Sequence, residues 1–176
     1  MMKAFVFSCS VFALLSSAST FADVVDSGAG GFTTRTSVTV NAPAARAYAA
    51  LTKIGTWWNK DHTWSGNAAN LSLDARVSGC FCEKLPNGGG VQHMTVIYAE
   101  PGKMLRLNGA LGPLQDLAVT GVMTFTFTEA NGKTTIDVTY KVGGYMAGGL
   151  NGLARPVDGV VAEQVMRLKQ YVDSTP

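Results

Sequence analysis

Cys80-Phe81-Cys82 sets two thiols two residues apart, a spacing that on a strand projects both side chains to one face. Three chemistries suit such a pair. A mutual disulfide is opposed by the strand rise: extended i and i+2 side chains lie about 7 Å apart, against the ~3.8 Å Cβ separation of a bridge, unless a bulge closes the gap. A metal centre needs two more ligands, and His62 and His93 are the only histidines in the chain. If the turn at residues 86–90 pairs Cys82 near His93, three ligands converge; a shift of one residue sets Glu83 opposite His93 instead. The preferred reading is the plain one, two small apolar thiols lining the sheet, with no metal and no cofactor.

Glu83, His93 and Arg106 fall on strands expected to be neighbours, and a carboxylate, imidazole and guanidinium facing a cavity would transfer protons or orient a ligand. Leu105 and Leu107 flank Arg106, so parity sends Arg106 to the solvent side, and a surface role is preferred for the group. Tyr140 shares parity with Ile136, Val138 and Val142, so its ring faces inward, where its hydroxyl could supply the one polar contact of a lipophilic ligand. Tyr140 and His93 are therefore the candidate acid–base residues. Trp57, Trp58 and Trp64 either line a cavity mouth or plug the core beneath the first helices. Gly88-Gly89-Gly90 is followed by neither Lys-Ser nor Lys-Thr, so it is a hairpin turn and not a phosphate loop.

The elements that must position these residues follow from hydrophobic period and turn chemistry. Residues 33–40 alternate as a strand; Asn41 as N-cap and Pro43 in the first turn then open a short helix over 44–52, and a second short helix and a loop follow. Strands are expected over 71–77, 79–85, 91–98, 105–109, 120–128 and 134–142. Asn131-Gly132 between the last two is a strong hairpin signal. Met123, Phe125 and Phe127 face one way with Ile136, Val138 and Val142, so the antiparallel meander has an apolar face that something must cover. The cover is a long helix over 157–173, which carries Val157, Val161, Val165, Leu168 and Val172 at helical spacing. The glycine-rich link over 143–152, with Tyr145 and Met146, is either a hinge that lets this helix act as a gate or an ordinary connector.

Fourteen basic and twelve acidic side chains, without a basic run, leave no footprint for a phosphate backbone, so nucleic acid is not an expected partner. Met1-Met2-Lys3, an apolar stretch over 4–15 and a small-residue end at Ala22 form a secretory signal pattern. The stretch is too short and too interrupted to span a ~30 Å bilayer, so stable membrane insertion is not expected. The expected organisation is a signal peptide at 1–22, a flexible leader at 23–32 and one domain at 33–174, in the periplasm or secreted. Oligomeric state has no sequence signal.

This order of elements resembles the START-like helix-grip (SRPBCC) superfamily, in particular its polyketide-cyclase and ligand-transport branch. Similar phrases are Val40-Asn41-Ala42-Pro43, Gly79-Cys80-Phe81, and the run from Tyr98 to Leu107 through Glu100-Pro101-Gly102-Lys103. The resemblance implies an α+β helix-grip fold: a curved antiparallel sheet of six to seven strands wrapped around the C-terminal helix, with two short helices after the first strand. It also implies an elongated apolar cavity between sheet and helix. The expected function is binding or carriage of a small hydrophobic molecule, with a cyclase- or dehydratase-type enzyme as the alternative. The expected ligand contacts are Trp58, Trp64, Phe125, Phe127, Val138, Tyr140, Tyr145, Val161, Val165 and Leu168.

Overall fold

The computed structural model describes residues 21–175, Phe21 by its backbone alone. Eight strands are present: β1 (Phe21–Gly28), β2 (Gly31–Val40), β3 (Leu71–Leu73), β4 (Cys80–Lys84), β5 (Gly90–Glu100), β6 (Met104–Asn108), β7 (Ala118–Ala130) and β8 (Lys133–Tyr145). Helices α1 (Ala44–Thr52) and α2 (Ile54–Trp57) lie between β2 and β3, and α3 (Ala154–Ser174) ends the chain. The strands form one antiparallel sheet in the order β1-β2-β8-β7-β6-β5-β4-β3, open at its β1 and β3 edges. This is the helix-grip arrangement, with one strand more than the sequence suggests.

The additional strand corrects the reading of residues 23–32 as a flexible leader. Asp23 pairs with Arg35 and Gly28 with Gly31, so β1 and β2 form a hairpin. Val24 touches the core while Val25 is 56% exposed. An edge strand held by its backbone ladder needs little apolar alternation, which is why its sequence does not announce it. The expected signal segment, residues 1–22, lies outside the described residues except for Phe21 and Ala22, which begin β1.

The β7–β8 hairpin follows from its turn residues. Ala130 pairs with Lys133, and Asn131 and Gly132 between them have φ of 53° and 73°, the left-handed pair that a two-residue hairpin loop requires. Inward-facing residues then repeat every second position: Met123, Phe125 and Phe127 on β7, Ile136, Val138, Tyr140 and Val142 on β8. Helix α3 buries Val161, Gln164, Val165, Leu168 and Val172 against them. Each Val or Leu so buried stabilises the fold by roughly 1.5–3 kcal/mol. Asn41 is not the N-cap of α1; its backbone N–H donates to Asp173 at 2.7 Å, and the Ala44 N–H is capped by the Glu129 carboxylate at 2.8 Å. The link before α3 is not loose, because Leu150 is fully buried and its N–H donates to the Ala29 carbonyl at 3.0 Å. No helix among the described residues is long and apolar enough to cross a membrane.

Candidate functional site

The centre of the sheet–helix interface is closed. Phe125, Val138, Val165 and Leu168 surround a void of only about 10 Å³, the size of one water, and Phe127 packs on Tyr48 with the rings tilted at 59°. The large cavity, about 660 Å³, lies at one end of that interface. Its walls are the loop at residues 61–64, Phe81 and His93 from β4 and β5, the loop at 111–117, and the first turns of α3. Apart from Asp61, His62, Thr63 and His93, every residue in the wall is apolar or glycine. The volume and composition suit a small hydrophobic molecule.

Trp58, Trp64 and Val161, among the expected ligand contacts, stand in this wall. Phe125, Phe127, Val138, Val165 and Leu168 do not: they are packed core, because α3 lies close on the sheet there. Tyr145 is 74% exposed and outside the wall; its neighbour Met146 lines it instead. Tyr140 is fully buried but its hydroxyl is committed to backbone, accepting from the Leu111 N–H and donating to the Gly109 carbonyl, both at 3.2 Å. Burial pushes that hydroxyl up to about 12. Tyr140 therefore holds the 111–117 loop in place rather than touching the cavity. A Cβ added at Gly121 would stand 2.5 Å from the Tyr140 ring, so glycine is what lets the ring seat there.

The polar centre of the wall is a pair that strand parity conceals. On β4, Phe81 and Glu83 face inward, and Cys80 and Cys82 take the outer face. Phe81 pairs with Met94 but Cys82 pairs with Gln92, so His93 is the extra residue of a bulge, and His93 and Met94 are buried consecutively. The bulge brings His93 to the Glu83 side of the sheet: Nε2 lies 3.0 Å from Oε2. The preferred surface reading of these two residues is thereby overturned, whereas Arg106 does stay outside, over the Tyr98 ring and against the Thr124 hydroxyl.

Glu83 is 2% exposed and its carboxylate also accepts backbone N–H bonds from Trp64 at 3.1 Å and Ser65 at 2.5 Å. Burial alone would raise its carboxyl, but the bonds from Ser65, Trp64 and His93 outweigh burial and hold it below the ordinary 4.5. Burial also outweighs the Glu83 charge at His93 and keeps the imidazole below its ordinary 6.5. At neutral pH the pair is thus a carboxylate and a neutral imidazole that donates from Nε2. The His93 ring stacks on Phe81, centroids 4.8 Å apart, and Phe81 meets Trp58 at 5.5 Å. From the other side, Glu163 of α3 accepts from Asn59 Nδ2 at 2.5 Å and contacts His62 Nε2 at 3.1 Å. Two carboxylates therefore pin the two ends of the loop that forms the mouth.

Cys80 and Cys82 are joined in a disulfide, their Cα atoms 5.4 Å apart, which corrects the reading of two free thiols. That separation is shorter than a regular extended i, i+2 spacing and lies on the strand facing the bulge at His93. Being joined, and on the face opposite His93, the sulfurs do not form the three-ligand set considered from the sequence. No group of three metal-ligating side chains occurs among the described residues.

Solved structures with the same fold include an uncharacterized protein from Rhizobium leguminosarum, 18% identical with a TM-score of 0.61 over 91% of this chain and 100% of that one. CalU16 from Micromonospora echinospora is 13% identical with a TM-score of 0.57, over 93% and 80%. A conserved protein of unknown function from Enterococcus faecalis is 14% identical with a TM-score of 0.57, over 88% and 77%. At such identities the likeness is one of fold. No curated protein shows significant sequence similarity to the chain. The profile described as polyketide cyclase / dehydrase and lipid transport matches residues 31–173, nearly the whole sheet and the covering helix, and the chain belongs to that family.

Proposed function

We propose that the protein is an exported binder or carrier of a small hydrophobic molecule held in the end cavity. The observation that carries this reading is the apolar wall around about 660 Å³ beside a sheet–helix centre closed by packing. Export is supported by the N-terminal signal pattern and by the Cys80–Cys82 disulfide, a bond that persists in oxidising compartments. The test is titration with N-phenyl-1-naphthylamine, a neutral fluorophore that brightens in apolar surroundings. The expected result is a saturable one-to-one rise, lost in Val160→Trp, which fills the cavity from its wall and leaves the packed centre intact. A linear, non-saturating response, or one indifferent to Val160→Trp, contradicts the reading.

The enzymatic reading has one observation in its favour, the His93 ring oriented by a buried carboxylate in a cavity wall. As a base, His93 would take a proton α to a ligand carbonyl and return it. Of the wall's side-chain donors for the resulting enolate oxygen, His62 is engaged by Glu163, the Thr63 hydroxyl and the Trp58 indole N–H donate to backbone carbonyls, and the Trp64 indole, the uncommitted one, is on a side chain 50% exposed, where solvent screening weakens it. Carriage is for that reason the conclusion. Exchange of the α-protons of 2-tetralone in deuterated water, accelerated by the protein and not by His93→Gln, would reverse it.

A further inference from the structure

Resting on the cavity as a hydrophobic-ligand site, we propose that Nδ1 of His93 is its polar anchor, accepting a hydrogen bond from a phenolic or enolic hydroxyl on an otherwise apolar ligand. His93 is 6% exposed and stands in the cavity wall. Its Nε2 is committed to Glu83, whose carboxylate only accepts, so the imidazole proton sits on Nε2 and Nδ1 carries a lone pair. Nδ1 has no hydrogen-bond partner among the described residues. Unpartnered but not sealed off, Nδ1 borders open space, and the space that His93 lines is the cavity, so a ligand donor takes the place that water would otherwise fill there.

The remaining polar wall residues do not compete for this role. Asp61 and His62 are exposed at the mouth, where water competes, His62 is held by Glu163, and the Thr63 hydroxyl, which donates to the Lys60 carbonyl, keeps only a neutral oxygen that accepts more weakly than an imidazole nitrogen. The anchor therefore distinguishes ligands by chemistry. Neutral His93 presents an acceptor to the cavity, so a hydroxyl is recognised and a bare ketone or ether is not. The Glu83 carboxylate behind the ring raises the basicity of Nδ1, which favours a weakly acidic hydroxyl over an amide donor. Phe81, stacked on the imidazole, and Trp58 beyond it give such a ligand an aromatic flank beside the anchor.

The test compares 2-naphthol with 2-methoxynaphthalene by isothermal titration calorimetry on the protein at pH 7.5. The two probes share the ring system and differ in the donor; the ether is the more apolar, so without an anchor it binds at least as tightly. The expected result is roughly tenfold tighter binding of 2-naphthol, the worth of one net hydrogen bond in a dry site. His93→Phe, which keeps a ring against Phe81 and offers no acceptor, removes that preference and leaves the ether within about twofold of its wild-type affinity. In the wild-type protein the ¹⁵N resonance of His93 Nδ1 moves upfield with 2-naphthol and stays put with the ether, a readout that needs no variant to fold. Equal affinities with an unmoved Nδ1 resonance overturn the anchor while the cavity reading stands. Failure of both probes to bind overturns the cavity reading and the anchor with it.

Discussion

Replacing Glu83 tests whether the buried carboxylate organises the cavity mouth. Three donors converge on it, the backbone N–H groups of Trp64 and Ser65 and Nε2 of His93, and the side chain has no solvent exposure. Glu83→Ala leaves all three without an acceptor. Each orphaned buried donor costs about 1–3 kcal/mol, less where water enters the space vacated, so a loss of about 3–5 kcal/mol is expected, the range found on breaking a buried charged pair. In a domain of this size that lowers the thermal midpoint by roughly 6–20 °C. Glu83→Gln keeps one acceptor oxygen, and His93 can change tautomer to accept from the new amide, so about 1.5–3 kcal/mol is expected. Urea unfolding of the three proteins supplies the values, and amide exchange at Trp64 and Ser65 should accelerate in the order wild type, Gln, Ala. A Glu83→Ala protein within about 0.5 kcal/mol of wild type, the range of ordinary surface substitutions, would refute the reasoning.

Other consequences are measurable on the same material. Because His93 is held below its ordinary 6.5 and Glu83 below 4.5, both contribute stability at neutral pH that is lost on acidification. The urea midpoint should decline from about pH 6.5 as unfolded His93 takes up a proton, and again below about pH 4.5; His93→Gln should flatten the first step only. Tyr140→Phe removes the hydroxyl that both accepts from Leu111 and donates to Gly109, and should cost about 1–3 kcal/mol and weaken N-phenyl-1-naphthylamine binding by loosening the 111–117 loop. Reduction of Cys80–Cys82 opens a loop of only three residues, so chain entropy predicts a loss of about 1.6 kcal/mol, far less than for a bridge spanning distant strands. Denaturation with and without reductant checks it.

The parts of the fold that the sequence makes legible are those where local signals agree. Asn131-Gly132 between two alternating strands, and the spacing of Val161, Val165, Leu168 and Val172, lead directly to β7, β8 and α3. Edge strand β1 is not legible, because its stability lies in ladder hydrogen bonds with β2. The site is read less completely, for one physical reason: parity fails at a bulge. Glu83 shares parity with the plainly apolar Phe81, a signal for an inward carboxylate, but only the extra residue at His93 turns the imidazole toward it. Cys80 and Cys82, on the strand facing that bulge, stand closer than regular extension predicts. Leu111, Leu114 and Leu117 recur every third residue, the period of the 3₁₀ turn that carries them, and mark the loop at the cavity wall. Where the space lies was not readable from an apolar pattern common to Phe125, Val165 and Val161; how closely α3 approaches the sheet along its length decides which of them meet it.

Native mass spectrometry of the protein, purified without detergent and then equilibrated with N-phenyl-1-naphthylamine, tests the ligand-binding cavity most directly. The predicted spectrum shows one small hydrophobic molecule per chain, either co-purified and released on denaturation or displaced by a single equivalent of the probe, with Val160→Trp bare throughout. A wild-type chain that stays bare at saturating probe would contradict it.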